Sequence, residues 1–144
     1  MASASVELVR SFYAAWERGE FFERSDWAHP EIECAVVDGP TPGRGKGLAG
    51  TANLWREIIG PYEAFRVTAQ EFREIDDHRI LVLVKFSGRG KTSGLEIGQV
   101  QTKNACILDI EDNTVRRLAL YWDREQAFAD LGLSPDGDAG EPPG

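Results

Sequence analysis

Residues 79–87 read Arg-Ile-Leu-Val-Leu-Val-Lys-Phe-Ser, a run whose apolar side chains fall on both faces of an extended strand. Successive side chains of a strand point to opposite faces of a sheet. One face carries Ile80, Val82, Val84 and Phe86, and the other carries Leu81 and Leu83. The run therefore predicts a strand whose middle is buried on both sides.

One strand-like segment precedes this run and two follow it, and short turns join each segment to the next. They are residues 62–75, 97–110 and 114–122, and the turns lie at Asp76-Asp77, at residues 88–94 and at Asp112-Asn113. Alternating segments joined by short turns of this composition favour an antiparallel meander.

The N-terminal part of the chain has helical periodicity instead. Residues 5–18 place Val6, Val9, Tyr13 and Trp16 on one stripe, so a helix is predicted there, with Ser5 capping its start and Gly19 ending it. A short second helix is predicted at residues 20–28 and a third at 48–59. A strand at residues 32–38 and a Gly/Pro-rich loop at 39–47 separate them. A short terminal helix follows Asp123, with Gln126 completing a capping box.

This order of elements predicts the α+β class, because the helices and the meander are segregated along the chain. A curved antiparallel sheet wrapped around the N-terminal helix would enclose a cone. Two further helices and the short C-terminal helix complete it. Residues 1–133 are expected to form one domain, and residues 134–144, rich in Pro, Gly and acidic residues, a disordered tail.

The composition narrows the possible partners and compartments. The 144 residues carry a formal net charge of −8, which disfavours binding to nucleic acid and to anionic membranes. No apolar run reaches membrane-spanning length, and the N-terminus does not resemble a signal peptide. Two cysteines, Cys34 and Cys106, form no disulfide framework, so a cytoplasmic location is predicted.

Several short motifs suggest cofactors, and each has a simpler explanation. Residues 45–50 match the Gly-x-Gly-x-x-Gly pattern, but six loop residues separate the strand from the motif and no second βαβ unit follows, so a flexible loop is favoured. His29 and His78 lie in separate turns without ligand spacing. No cofactor and no metal are therefore expected.

Three segments together resemble a known family. They are residues 6–19, the His29-Pro-Glu-Ile-Glu33 stretch and residues 115–131 with Tyr121-Trp-Asp-Arg124. In order and spacing they are similar to the SnoaL-like family of the nuclear-transport-factor-2-like (NTF2-like) superfamily. The resemblance implies a cone-shaped α+β barrel, often dimeric, with an apolar pocket. The superfamily contains polyketide cyclases, ketosteroid isomerases, a dehydratase and an epoxide hydrolase, as well as non-enzymatic binding modules, so the fold leaves function open.

Asp38 is the first candidate for catalysis. It ends a strand on the side shared by Ile32, Cys34 and Val36, and its turn resembles the position of the general base in ketosteroid isomerases. A carboxylate among apolar walls would have a raised pKa, which suits proton abstraction. The alternative is that Asp38 starts the turn by binding local backbone amides. The isomerase's second carboxyl group would fall near Cys106 and its tyrosine near Phe12, so ketosteroid isomerisation itself is not expected.

The remaining candidates are expected to line the pocket. Asn104 and Cys106 share an otherwise apolar face, where the amide needs a partner: a ligand carbonyl, the backbone or a tyrosine. Cys106 is more consistent with a small core residue than with a nucleophile. The aromatic candidates are Tyr13, Trp16, Trp55, Phe86 and Tyr121, which either fill the core or contact the ligand.

Two functions follow from these candidates. In the first, a cofactor-free acid–base enzyme (isomerase, dehydratase, hydrolase or cyclase) acts on a small apolar metabolite, with Asp38 as base and with Tyr13 and Asn104 orienting the substrate. In the second, the same fold is a non-catalytic ligand-binding or dimerisation module whose sheet pairs with a second copy. An inward, desolvated acid or base is required only by the enzyme.

Overall fold

A computed structural model describes residues 4–20, 26–38, 42–60, 62–76, 78–90 and 103–132. Its three helices are α1 (Ala4–Glu17), α2 (Gly47–Ile59) and α3 (Arg124–Leu131). Its six strands are β1 (Ala28–Val36), β2 (Gly43–Lys46), β3 (Tyr62–Glu74), β4 (Arg79–Gly90), β5 (Asn104–Glu111) and β6 (Thr114–Tyr121). The predicted α+β class is confirmed.

All six strands form one sheet in the order β2-β1-β6-β5-β4-β3. Strands β3 to β6 form the predicted antiparallel meander, with the Asp112-Asn113 turn at positive φ in both residues, as a tight hairpin requires. Strand β1, however, pairs in parallel with β6, so the prediction of a wholly antiparallel sheet is wrong at this pair. A strand that joins the sheet beside a strand distant in sequence is not constrained by hairpin geometry.

The sheet is curved, and bulges mark where its pairing is irregular. The register of β3 against β4 shifts between Glu63 and Arg66 and again between Ala69 and Glu71. Ala64, inside the first shift, has a φ of 54°, in the left-handed region. Because bulges bend a strand and increase its local twist, they help the sheet to curve around the helices.

Each face of the sheet has its own core, as residues 79–87 predicted. The inner face packs against α1 and α2 and includes Ile80, Val82, Val84 and Phe86. The outer face forms a second cluster under α3, which contains Leu81, Leu83, Ala105, Tyr121, Ala127 and Phe128. A central strand of this protein is therefore apolar on both sides because helices cover both sides.

The structure confirms only some of the predicted helix ends. Gly19, with a φ of 82°, follows the end of α1, and the Asp123 side chain caps α3 by accepting a hydrogen bond from the Glu125 amide. Helix α1 begins at Ala4, so Ser5 lies within the helix instead of capping it. The capping box is also wrong, because the Gln126 side chain donates to Asp130.

The predicted loop at residues 39–47 is wrong in its second half, where β2 pairs with β1. The glycines there serve close packing. A Cβ atom on Gly45 would lie 2.7 Å from the carbonyl carbon of Gly50 in α2, so this strand and helix meet backbone to backbone. This contact accounts for Gly45 and Gly50 of the Gly-x-Gly-x-x-Gly pattern, and Gly47 has a φ of 74° in the left-handed region.

Several predictions fall outside the described residues. Residues 21–25 of the predicted second helix are among them, and Ala28, its last residue, belongs to β1 instead. Residues 91–102, which include much of the predicted hairpin and the start of the 97–110 strand, are also outside, as is the tail from residue 133. Within the described part of the chain, no helix has the length and apolar character needed to cross a membrane.

Candidate functional site

The interior of the cone is packed with interlocking aromatic rings from three segments. Helix α1 supplies Phe12, Tyr13 and Trp16, α2 supplies Trp55, and Trp27 precedes β1. The centroid of Trp16 lies 4.8 Å from that of Trp55, and Phe12 stacks on Trp27 at 4.5 Å. All five side chains are buried. Trp16 and Trp55, predicted as pocket-lining residues, are therefore packed into the main core.

Tyr13 introduces a polar atom into this apolar interior. Its hydroxyl group is fully buried and has no regular hydrogen bond within the described residues, where the Thr51 hydroxyl is the other such atom. Burial raises the pKa of Tyr13 well above its usual value, and the Cys106 thiol, through its charge and as a weak hydrogen-bond partner, and then Cys34 raise it further. The phenol is therefore a neutral donor at physiological pH. A buried polar atom without a partner costs about 1–3 kcal/mol and calls for an explanation.

The two cysteines beside Tyr13 are free and buried. Burial raises the pKa of each thiol to about 12, and for Cys34 the nearby Cys106 contributes as well. Neutral thiols in an apolar environment are poor nucleophiles. This agrees with the prediction that Cys106 is a small core residue, and it adds Cys34 to the surroundings of Tyr13.

Asn104 obtains its partners from the backbone. Its Oδ1 accepts a hydrogen bond from the Phe86 amide and its Nδ2 donates to the Trp122 carbonyl, each at 2.8 Å. The side chain is completely buried and links the end of β4 to the segment after β6. Of the partners left open by the sequence, the backbone is therefore the one observed.

Asp38 is also engaged by the backbone. One carboxylate oxygen accepts from the Trp122 amide at 2.6 Å and the other from the Asp123 amide at 3.1 Å. These amides are distant in sequence, so the partners are not the local ones considered for a turn residue. The half-buried carboxylate ties the end of β1 to the start of α3.

Tyr121 lies apart from the other candidates. It belongs to the outer cluster under α3, and its hydroxyl donates to Asp130 at 2.6 Å. Burial, together with this hydrogen bond to the carboxylate, raises the pKa of Tyr121. The inner core contains Tyr13, Trp16, Trp55, Phe86 and Cys106, so the structure brings these five into one cluster.

Sequence reasoning missed Phe72, a half-buried residue of β3 at the border of this cluster. Its ring meets Tyr13 edge to face at 6.1 Å, and the Arg10 guanidinium lies 4.6 Å from its centroid. Phe72 follows the bulge between Ala69 and Glu71, where simple alternation along the strand breaks down.

Sequence analysis also missed one group of potential metal ligands among the described residues. His29, Glu111 and Asp112 place ligand atoms within 4.8 Å of one another. The Nδ1 atom of His29, however, accepts a hydrogen bond from the Glu31 amide at 3.0 Å. In a neutral imidazole the proton is then on Nε2, which cannot ligate a metal in that state. The group does not match a prepared metal site.

No family model matches this sequence, and no curated protein sequence matches it. Solved structures match closely in shape. An NTF2-like protein of unknown function from Burkholderia pseudomallei superposes with a TM-score of 0.71 at 19% identity, covering 89% of this chain and 97% of that one. The chain has the NTF2-like fold. The predicted resemblance is confirmed at the level of the fold.

Two other matching structures contain small molecules. TerC, co-crystallised with polyporic acid, has a TM-score of 0.70 at 19% identity and covers 90% of this chain and 98% of its own. A protein of ketosteroid isomerase-like fold from Catenulispora acidiphila, in complex with trimethylamine, has a TM-score of 0.63 at 13% identity, covering 90% and 95%. At such identities the likeness concerns the fold, and the chemistry must be argued from this chain's own residues.

Proposed function

We propose that this NTF2-like domain binds a small, largely apolar molecule inside the cone and that the Tyr13 hydroxyl donates a hydrogen bond to it. The observation that carries the proposal is the buried Tyr13 hydroxyl among aromatic rings, which within the described part of the chain has only the weakly hydrogen-bonding Cys106 thiol as a partner. A ligand carbonyl or ether oxygen would supply the missing acceptor, and the aromatic walls would contact the apolar remainder.

The ligand is expected to be uncharged. Around Tyr13 the titratable neighbours are Cys34 and Cys106, and the raised pKa values of all three groups keep them neutral at pH 7. An ionic ligand would lose its hydration there without meeting an opposite charge, which is costly in an apolar interior.

The same surroundings favour binding over acid–base catalysis. Proton abstraction requires a base within hydrogen-bonding reach of the substrate. Among the described residues, the buried polar side chains outside the tyrosines and cysteines are Thr51 and Asn104, and no carboxylate or imidazole is buried. A non-catalytic binding module therefore agrees better with the interior than an isomerase, dehydratase, hydrolase or cyclase does.

Catalysis by Asp38 is the second candidate function, and one contact supports it. Asp38 accepts a hydrogen bond from Trp122, whose ring packs edge to face on Phe86 of the inner core at 4.9 Å. A substrate that displaced the Trp122 ring would come close to the carboxylate. Loss of turnover in Asp38→Asn with an unchanged melting temperature would favour this function, whereas a fall in melting temperature alone would favour a structural Asp38.

The binding proposal is tested by a thermal-shift screen with neutral cyclic and aromatic ketones and matched hydrocarbons. Ketones are expected to stabilise the wild type more than hydrocarbons of equal size. For a ketone that binds, Tyr13→Phe should raise the dissociation constant by about 2- to 13-fold, the usual contribution of one neutral hydrogen bond. Tyr121→Phe is the matched control and should leave binding unchanged, because Tyr121 lies in the outer cluster. Equal binding by both variants would contradict the proposal.

We further propose that the protein is a cytoplasmic homodimer. Free, buried thiols at Cys34 and Cys106 agree with a reducing compartment. Among the described residues, α3 covers only part of the outer sheet face, and Ala35 of β1 and Lys46 of β2 remain half-buried or exposed there, which leaves room for a second copy. Sedimentation analysis of the purified protein tests the homodimer directly.

A further inference from the structure

A second buried hydroxyl group belongs to Thr51 of helix α2. The residue keeps only 5% of its exposure, and within the described part of the chain its Oγ1 atom has no hydrogen-bond partner. A threonine inside a helix can donate to a backbone carbonyl one turn earlier, which satisfies its hydroxyl group. Thr51 does not form that bond, so its hydroxyl group remains available to another molecule.

Thr51 lies on the side of α2 that faces the aromatic interior. Trp55 follows it by four residues and therefore shares its side of the helix. The Trp55 ring packs on Trp16 of α1 with 4.8 Å between the ring centroids. Asn53, on the other side of α2, is exposed. The burial of Thr51 is thus burial between α2 and the inner core.

Two sets of contacts connect Thr51 with the surroundings of Tyr13. Trp16, which packs on α2, also packs edge to face on Tyr13 with 4.7 Å between the centroids. The second connection runs through the sheet. A Cβ atom on Gly45 would lie 3.1 Å from the Thr51 amide nitrogen, and Gly45 pairs with Cys34, one of the two thiols that influence Tyr13. The two hydroxyl groups therefore border one interior region, Tyr13 from α1 and Thr51 from α2.

Tyr13 and Thr51 carry the two buried side-chain polar atoms that lack a regular hydrogen bond among the described residues. Each hydroxyl group loses its hydration on folding, and one ligand with two oxygen atoms would compensate for both losses. We propose that Thr51 is a second polar anchor of the ligand site and that the ligand is a neutral molecule with two oxygen functions, one for each hydroxyl group. This inference rests on the binding function proposed above and adds the second polar group of the ligand.

The second function has a defined chemical range. A threonine hydroxyl group both donates and accepts, so a carbonyl, an ether or a hydroxyl group on the ligand would satisfy Thr51. A carboxylate or an ammonium group is disfavoured there, because an ion would lose its hydration in an apolar interior.

The test uses α-tetralone, a neutral bicyclic ketone, and derivatives that carry either a hydroxyl or a methyl group at the same ring position. These two groups are similar in size, so each pair isolates the effect of the second oxygen. Isothermal titration calorimetry with the full chain at neutral pH measures the dissociation constants. At one ring position, we expect the wild type to bind the hydroxy derivative about 2- to 13-fold more tightly than the methyl derivative, the usual contribution of one neutral hydrogen bond.

Three variants assign that preference to a residue. Thr51→Val removes the hydroxyl group and keeps the branched shape, so it should weaken the hydroxy derivative about 2- to 13-fold and change the methyl derivative less than about twofold. Thr51→Ser keeps a hydroxyl group and should retain the preference. Tyr13→Phe should weaken both derivatives alike, because both contain the ketone. Circular dichroism confirms that each variant is folded.

A measurement without ligand tests whether the protein itself satisfies Thr51. Thr51→Val should leave the melting temperature unchanged or raise it, because the substitution removes a buried hydroxyl group without a partner. Valine and threonine have similar helix propensities, so the helix itself should not respond. A clear fall in melting temperature would show that the hydroxyl group has an effective partner in the free protein and would overturn the inference.

The binding results separate this inference from the function on which it rests. If the wild type bound no tetralone, the proposed binding function would be contradicted and the second anchor with it. If ketone binding depended on Tyr13 but no ring position favoured a hydroxyl group, the second anchor alone would be overturned. Equal weakening of the hydroxy and methyl derivatives by Thr51→Val would also overturn it, because the residue would then act only through packing.

Discussion

Replacing Tyr13 with phenylalanine removes only the hydroxyl oxygen, and we expect the ligand-free protein to become more stable. Within the described residues the oxygen is buried without a regular hydrogen bond, and the Cys106 thiol beside it is a weak partner, so folding removes its hydration with little compensation. That loss amounts to about 1–3 kcal/mol. The void left by one oxygen atom costs a few tenths of a kcal/mol. The net gain in the free energy of unfolding is therefore about 1 kcal/mol.

The opposite sign is expected for the same substitution in the outer cluster, Tyr121→Phe. The Tyr121 hydroxyl donates to the Asp130 carboxylate at 2.6 Å, so its removal leaves a good acceptor without that donor. Because the Asp130 carboxylate is exposed, solvent can replace the lost donor and reduces the penalty to about 1 kcal/mol. The same chemical change should thus stabilise at position 13 and destabilise at position 121.

Urea denaturation monitored by tryptophan fluorescence measures both changes, since the chain contains four tryptophans. A gain of about 1 kcal/mol corresponds to a rise of roughly 2–5 °C in melting temperature for a domain of this size. If Tyr13→Phe instead lost more than about 1 kcal/mol, the hydroxyl would have an effective partner in the free protein, such as the Cys106 thiol. The reasoning from an unpaired donor would then be refuted.

Three further expectations concern other parts of the chain. Asp38→Asn should lower the free energy of unfolding by about 1–2 kcal/mol in urea melts, because one amide proton loses its carboxylate acceptor; unchanged stability would contradict the observed bonds. Gly45→Ala should lower it by about 2 kcal/mol or more, since the added Cβ would lie 2.7 Å from a backbone carbonyl carbon, whereas Gly43→Ala, 3.3 Å from a flexible leucine methyl, should lose under about 1 kcal/mol; equal losses would count against the tight crossing. The thiol pKa of Cys106 is raised to about 12, above its unfolded value, so its stability contribution is complete below about pH 8.5 and is lost as pH rises toward 12. Cys106→Ala should therefore make the alkaline decline shallower by up to about 1.4 kcal/mol per pH unit in denaturant melts at stepped pH, and an unchanged slope would be inconsistent with a buried thiol.

The sequence pattern was sufficient to predict the strands, helices and turns that depend only on neighbouring residues. The two apolar faces of residues 79–87 predicted a strand covered on both sides, and the structure has a separate cluster on each face. The stripe of α1 and the turn at Asp112-Asn113 depend only on periodicity and turn chemistry, and both are confirmed.

Errors arose where a distant segment decides local structure. Strand β2 is rich in glycine and reads as a loop, but contact with Gly50 of α2 and pairing with β1 make it a strand. The parallel direction of β1 depends on β6, which lies about 80 residues further along the chain. The strand propensity of a short segment therefore predicts neither the β2 strand nor the direction of β1.

The candidate site follows the same distinction. Periodicity placed Tyr13 and Trp16 inward on α1, and both are in the inner core. The hydrogen-bond partners of Asp38 and Asn104 were not predictable. The sequence around an aspartate or asparagine does not show whether its side chain binds a ligand or a remote backbone group. For Asp38 those amides are 84 and 85 residues away. Polar satisfaction is a property of the folded chain.

The central claim, a ligand beside Tyr13 inside the cone, is tested most directly by NMR of protein labelled with ¹³C at its two cysteines and two histidines. Cys34 and Cys106 report on the interior, and His29 and His78 lie in partly or fully exposed positions. During titration with the best neutral ketone, we expect saturable shifts of both cysteine signals and steady histidine signals. Shifts of the histidine signals alone, with unmoved cysteines, would place the ligand on the surface and contradict binding inside the cone.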